Sequence, residues 1–191
     1  ELKPNANCPN VDLSNQTLRD LDLQNSNFEG ANFEGSNLDG TDFTKANLTK
    51  ANFKKANLRH STLKQSNMFK ANLENANLAR ADLRHTNLKV VTAFNANFDG
   101  INGWALFGQG SKFDGATFHG SDLNFARMSG SSMKNCDFQA ANFEAAWMAN
   151  VNFEGSNFTN ANLQEVKLSN SSLSKANFTG TRIHFANLVD V

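Results

Sequence analysis

The chain has 191 residues with 18 basic and 18 acidic side chains, and its formal net charge is zero. That length allows one domain or two small ones and is ample for a packed core. Neutrality argues against a generalised DNA binder or a polybasic membrane anchor, so direct nucleic-acid binding is not expected. No run of about 18 apolar residues could cross a membrane, and no signal-peptide pattern is present. The chain starts at Glu1 rather than Met, so processing of a longer precursor stays open. The rest of the composition is unusual: 30 Asn, 17 Phe, no Tyr, two Pro, two Cys and only 39% hydrophobic residues. Such a chain must place its few apolar side chains with care.

Residues 1–12 contain Pro4 and Pro9 and are expected to form a short N-terminal lid. From Leu13 to Leu188 a period of five takes over. Every fifth residue gives 36 central positions, of which 16 are Leu, 12 Phe, four Met and one Ile. The exceptions are Ala93, Gly103 and Gly108. Two residues before each centre lies a small side chain, as at Ala31, Ala46, Ala51, Ser36, Thr41 and Cys136, and between the two lies Asn or Asp, as at Asn27, Asn32, Asp42 and Asn52.

A period of five suits neither standard element. On an α-helix it scatters the large residues over every face; on a flat strand it sends successive ones to opposite faces. It makes sense if the chain turns a corner every five residues. The large and small residues then point inward, and Asn or Asp serves the corner. Scarcity of Pro fits a backbone whose N–H groups are needed between coils.

This Ala-Asn/Asp-Leu/Phe-x-x pattern resembles the pentapeptide-repeat family over residues 11–191. The resemblance implies an all-β fold, a right-handed quadrilateral parallel β-helix in which four repeats make one coil of about twenty residues. The 36 repeats then give about nine coils in one solenoid over residues 13–191. Residues twenty apart should stack. Glu34, Lys54 and Glu74 then alternate in sign, as do Asp114, Lys134 and Glu154, and Arg19, Asp39 and Arg59. Phe98, Phe118, Phe138, Phe158 and Phe178 form one inner column.

Neutrality hides segregation along the chain. Residues 1–43 sum to −6, residues 44–90 to +8 and residues 91–191 to −2. In the basic belt, Lys45, Lys50, Lys64, Lys70, Arg84 and Lys89 fall on two adjacent faces, where Lys50 stacks on Lys70 and Lys64 on Arg84. Like charges so stacked cost a little stability. They form either a solvated face or a site for an anionic partner.

Residues 99–110 lose the central hydrophobe twice, at Gly103 and Gly108. They are expected as an irregular coil, with Ile101 and Leu106 compensating, or as a projecting loop that presents Trp104 and Phe107. Of the aromatics off the central lattice, Phe107, Phe125, Trp147 and Phe185 map near one corner of the basic faces. Exposed aromatics flanked by polar residues are enriched at interfaces. At the far end the last coil has an open apolar cross-section, and a homodimer through the C-terminal coils would cover it.

Catalysis finds no support. The histidines, His60, His85, His119 and His184, do not align with one another, and none has metal-ligand spacing. No phosphate-cradling Gly motif occurs. Cys136 occupies an inward position and Cys8 lies about six coils away, so they cannot pair. No cofactor is expected. The sequence therefore implies a non-enzymatic structural or interaction protein: a rigid rod presenting a basic and aromatic face to a protein partner. The family resemblance supplies an alternative, a DNA-mimicking protein that binds gyrase or another topoisomerase, which would need a strongly acidic rod. Free thiols mildly favour the cytoplasm, while the family also includes exported and thylakoid-lumen members.

Overall fold

The computed structural model describes residues 2–191, and Glu1 lies outside the described residues. The chain advances by a five-residue unit that repeats without interruption: one inward small residue, one bridge residue, one inward central residue and a two-residue turn. Each bridge residue pairs in parallel with the residue twenty further on, from Asn7↔Asn27 to Lys167↔Asn187. Four units therefore close one square coil, and coils stack about 4.8 Å apart. The result is a quadrilateral parallel β-helix. Each wall contributes a single bridge residue per coil, and the described residues contain no longer strand.

Hydrogen bonding explains the period. The bridge residue donates its N–H back to the small residue of the previous coil, as Asn47 does to the Ser26 carbonyl at 2.9 Å. The central residue donates forward, as Leu23 does to the Asp42 carbonyl at 2.8 Å. The second turn residue also donates forward, and the next small residue closes the turn, as Ala46 does to the Phe43 carbonyl at 2.9 Å. The first turn residue is the step that never has a backbone acceptor among the described residues. Its N–H goes to the bridge side chain two residues earlier, as Thr49 N–H does to Asn47 Oδ1 at 3.2 Å. A few small residues, such as Val91 and Cys136, donate instead to a serine hydroxyl of the next coil.

Two expectations change here. Asn does not sit at the corner; it sits in the middle of the wall and caps the turn from there. Pro4 and Pro9 do not mark a lid. Both are first turn residues, the one step whose N–H the coil leaves free of backbone bonds. Residues 2–12 already belong to the helix, since Asn7 and Asp12 bridge to Asn27 and Asn32.

The true corner is the second turn residue. Every fifth residue from Asn5 to Asp190 has a positive φ, between 53° and 75°. Gly and Asn favour that region, yet Lys45, His60, Val90 and Phe125 occupy it as well. Gly30 shows a second demand on that step. A Cβ there would collide with Oδ1 of Asn10, whose side chain leans over it from the coil before.

The interior is continuous. Central residues from Leu23 to Leu168 are buried, including Phe28, Phe53, Phe118 and Phe153. Each such burial contributes about 1.5–3 kcal/mol, which is how 39% apolar content suffices. The phenylalanine column forms as expected, with rings 4.8 Å apart from Phe98 to Phe118, 5.3 Å to Phe138, 4.8 Å to Phe158 and 5.0 Å to Phe178. Hydroxyls at the small step are satisfied inside, as Thr41 Oγ1 donates to the Leu18 carbonyl at 2.7 Å, with Ser66 Oγ the exception among the described residues.

Residues 99–110 neither loop out nor lose the coil. Asn102 bridges Asp122 and Phe107 bridges Arg127 in unbroken register. Gly103 and Gly108 still sit inside. A Cβ on Gly103 would lie 2.8 Å from Leu123 Cδ2, and one on Gly108 only 2.5 Å from Met128 Sδ. The next coil fills the space these glycines leave.

Candidate functional site

One wall of the rod departs from the rest. Its bridge residues are Asn7, Asn27, Asn47, Asn67 and Asn87, then Phe107, Arg127, Trp147 and Lys167. In the first part the amides bond to one another, with Asn47 Nδ2 to Asn27 Oδ1 at 3.0 Å and Asn87 Nδ2 to Asn67 Oδ1 at 2.9 Å. In the second part rings and cations alternate. Arg127 lies 5.7 Å from the Phe107 ring and 5.8 Å from the Trp147 ring, and Lys167 Nζ lies 4.0 Å from the latter. Each such contact is worth about 0.5–1 kcal/mol at an exposed site.

The adjoining corners carry the basic belt. Lys45, Lys64 and Arg84 lie along one edge of this wall, and Lys50, Lys70 and Lys89 along the other. Lys89 joins the two parts, since its Nζ lies 5.6 Å from the Phe107 ring. Lys70 covers Phe69 at 5.1 Å. Two cations are engaged by carboxylates. Lys50 meets Glu29 at 3.9 Å, and Arg84 Nε donates to Asp82 Oδ1 at 2.9 Å. Burial pushes the Asp82 carboxyl up, but hydrogen bonds and charge from Arg84 outweigh it and hold that carboxyl below its usual value. Lys45, Lys64, Lys70, Lys89, Arg127 and Lys167 have no ion pair among the described residues.

Five successive coils of this wall, residues 44–50, 64–70, 84–90, 104–110 and 124–130, contain no carboxylate. They hold Lys45, Lys50, Lys64, Lys70, Arg84, Lys89 and Arg127. Beside the ladder a second aromatic group runs along the corner. Trp104 stands edge-on to His85 at 4.8 Å and to Phe125 at 5.9 Å. Phe125 and Trp147 are each half exposed.

The structure thus brings together the six belt cations with Trp104, Phe107, Phe125 and Trp147. Phe185 lies in the same corner row but is 89% exposed and touches no other ring. Gly103 and Gly108 belong to the interior, so they present nothing outward. Arg127, Lys167 and His85 were missed by sequence reasoning. The signal was there for the first two: they stand forty residues apart, on either side of Trp147, in a column that abandons Asn over four coils.

The stacked charge columns form only in part. Lys54 pairs with Glu74 at 3.0 Å and Lys134 with Glu154 at 3.4 Å. Asp39 takes Arg19 at 3.1 Å and His60 at 3.0 Å, not Arg59. Glu34 and Asp114 instead accept hydrogen bonds from the Asn52 side chain and the Lys134 backbone N–H. Both cysteines are free thiols. Among the described residues no cluster of three His, Cys, Asp or Glu could hold a metal ion, and no helix is long and apolar enough to cross a membrane.

The sequence profile described as "Pentapeptide repeats" matches eight copies, over residues 5–35, 26–65, 66–102, 109–139, 136–174 and 156–191. The chain belongs to the pentapeptide-repeat family. The profile omits residues 103–108, where the two inward glycines stand. No curated protein matches the chain. Among solved structures, the chain is similar to HetL, a pentapeptide repeat protein involved in heterocyst differentiation regulation in the cyanobacterium Nostoc sp. strain PCC 7120. That match has 22% identity and a TM-score of 0.44, and covers 96% of this chain and 87% of HetL. It is also similar to QnrB1, a plasmid-mediated fluoroquinolone resistance protein, with 16% identity, a TM-score of 0.42, and 96% and 91% covered. A third is a pentapeptide repeat protein from the Arabidopsis thaliana thylakoid lumen, with 25% identity, a TM-score of 0.31, and 66% and 68% covered. These likenesses concern the fold.

Proposed function

We propose that this repeat protein is a non-enzymatic binding rod of about nine right-handed coils whose basic and aromatic wall receives an acidic protein segment. The carboxylate-free stretch of five coils carries the reading, because five of its seven cations, all but Lys50 and Arg84, form no internal ion pair among the described residues. Lys45 and Lys64 form no ion pair among the described residues, and Lys50 over Lys70 costs some stability. A partner's carboxylates relieve that repulsion and speed encounter. Phe107, Phe125 and Trp147 then offer large, partly exposed rings for the partner's apolar residues.

Protein is favoured over single-stranded nucleic acid by the state of the rings. Base binding uses open aromatic faces as stacking platforms, whereas Lys167 stands over Trp147 and both Lys89 and Arg127 over Phe107. The DNA-mimic alternative has no supporting feature on this wall, since a mimic needs acidic side chains there.

The test is binding of the rod to polyglutamate, to a Glu-rich peptide ending in Phe and Leu, and to a single-stranded oligonucleotide at matched ionic strength. The Glu/Phe/Leu peptide should bind most tightly and weaken steeply with salt. The triple variant Lys64→Glu, Lys70→Glu, Lys89→Glu should lose it. Equal binding by that variant, or a preference for the oligonucleotide, overturns the reading. A second copy of the chain meeting the last coil, where Ile183 and Leu188 are exposed, is a further contact we propose. Sedimentation at micromolar concentration should show a dimer that Ile183→Glu dissociates.

A further inference from the structure

Ten residues further round the coil from the basic wall, on the opposite side of the square, lies a depression of about 440 Å³. It opens where two neighbouring rows at one corner carry small residues, Ala79 in one and Gly100 and Gly120 in the other. A Cβ on Gly120 would meet no atom within 4 Å, and one on Gly100 would touch only the Arg80 stem at 3.6 Å. Arg59 and Arg80 stand at its sides, with His119 and the amides of Asn77 and Asn97.

Donors crowd this depression and have no internal use. Neither guanidinium forms an ion pair or a side-chain hydrogen bond among the described residues. One coil earlier in the same wall the amide ladder is intact, with Asn57 Nδ2 donating to Asn37 Oδ1 at 3.1 Å. Asn77 and Asn97 do not continue it. Their Oδ1 atoms accept the N–H groups of Ala79 at 3.1 Å and Asp99 at 2.8 Å, which fixes each amide and leaves its Nδ2 donor unused. The one carboxylate present, Asp99, accepts the His119 N–H through Oδ1 at 2.9 Å. Its Oδ2 is left to accept from something else.

We infer that this depression binds a small hydroxylated phosphate ester. A phosphate group matches the planar fork of a guanidinium, and two guanidiniums with two amide donors supply more hydrogen bonds than a carboxylate can accept. The space exceeds what a bare phosphate fills, and Asp99 Oδ2 gives an acceptor for a hydroxyl on the esterified group. Asp99 repels either phosphate dianion, but a hydroxyl of the ester can donate to Asp99 Oδ2 in compensation, so the ester should bind better than inorganic phosphate. The site is open to water, and its affinity is modest.

Nuclear magnetic resonance titration of the whole chain tests this with inorganic phosphate, glucose 6-phosphate and O-phosphoserine, using chloride at equal ionic strength as the control. Glucose 6-phosphate should give saturable shifts of the Gly100 and Gly120 amides and bind most tightly of the three. Arg59→Gln or Arg80→Gln should each weaken it about tenfold, the usual loss for a hydrogen bond to a charged group. Gly120→Asn should abolish it by filling the space. The backbone accepts that change, since Asn160 holds φ of 59° two coils on in the same corner row. Lys64→Glu on the opposite wall should change nothing, which separates this site from the partner wall. Shifts equal to those from chloride, or unchanged binding in the Arg59→Gln, Arg80→Gln double variant, overturn the inference. Tighter binding of O-phosphoserine than of glucose 6-phosphate overturns the sugar-like ester and points to a protein-borne phosphate.

Discussion

The wall from Asn27 to Asn87 and its continuation from Phe107 to Lys167 share one backbone and differ in almost everything else. The bridges are indistinguishable: Asn47 N–H reaches the Ser26 carbonyl at 2.9 Å, and Trp147 N–H reaches the Ala126 carbonyl at 2.8 Å. In the first part the side chain also works for the fold. Asn67 Oδ1 accepts the Phe69 N–H at 3.2 Å and the Asn87 Nδ2 at 2.9 Å. In the second part no side-chain oxygen at the bridge step can cap the turn two residues on. Each missing cap forgoes about 0.5–1.5 kcal/mol, which cation–π contacts of about 0.5–1 kcal/mol only partly offset. The difference teaches that the coil does not need its asparagines in order to close. They add stability, and four successive coils give that up for a surface of rings and cations.

The sharpest break between inside and outside lies at phenylalanine. Phe118→Ala, deep in the stacked column, should cost about 3–5 kcal/mol in urea unfolding. Phe125→Ala on the exposed corner should stay within about 0.5 kcal/mol. Equal losses would mean that the inward and outward lattices are wrongly separated.

Next in size is the glycine pair. Gly108→Leu restores the consensus centre yet should destabilise by about 1–3 kcal/mol, because Met128 already fills that space. Adding Met128→Ala should recover part of the loss, and simple additivity of the two changes would refute the shared cavity.

Along the wall itself, replacing Phe107, Arg127, Trp147 and Lys167 together by Asn should leave the unfolding midpoint unchanged or raise it by about 1–2 kcal/mol equivalent, since caps return. The same variant should no longer bind the Glu/Phe/Leu peptide. A clear loss of stability would show that the ring and cation ladder holds the fold rather than serving a partner.

Smaller effects concern titration. Burial pushes the Cys136 thiol far up, so it stays protonated at neutral pH. A thiol reagent should therefore modify only Cys8 until the chain unfolds, and early loss of both thiols would contradict the packed core. The His60 hydrogen bond holds the Asp39 carboxyl below its usual value, and Lys134 does the same for Glu154. A carboxyl depressed in the folded state contributes stability above its unfolded pKa and loses it as pH falls through the folded one. Stability should thus decline on the acid side, below the ordinary carboxylate range. Asp39→Asn should flatten that decline slightly.

Much of this was legible in the sequence. The five-residue lattice gave the inward residues, and the family resemblance supplied the square coil of twenty residues that places the Phe98-to-Phe178 column and the basic belt from Lys45 to Lys89. Three points were not legible, each for a physical reason. Pro4 and Pro9 read as part of an N-terminal lid until the hydrogen bonds showed one step per repeat whose N–H no backbone carbonyl takes. Gly103 and Gly108 read as a defect because a gap in one coil is filled by Leu123 and Met128 of the next, and no local pattern records that. The depression at Gly100 and Gly120 was invisible because it is made of absent side chains on neighbouring coils.

By itself the sequence determined the period, which residues face inward and how often the chain turns. These follow from burial and from backbone dihedrals, both set within five residues. The tertiary structure alone decided which outward side chains meet. Neighbours there are twenty residues apart, and whether a stacked Asp39 takes Arg59 or His60, or a lysine an acid or a ring, depends on side-chain reach across a corner. The interior repeats because every coil must solve the same packing problem. The exterior is free to differ, and there the proposed binding surfaces lie.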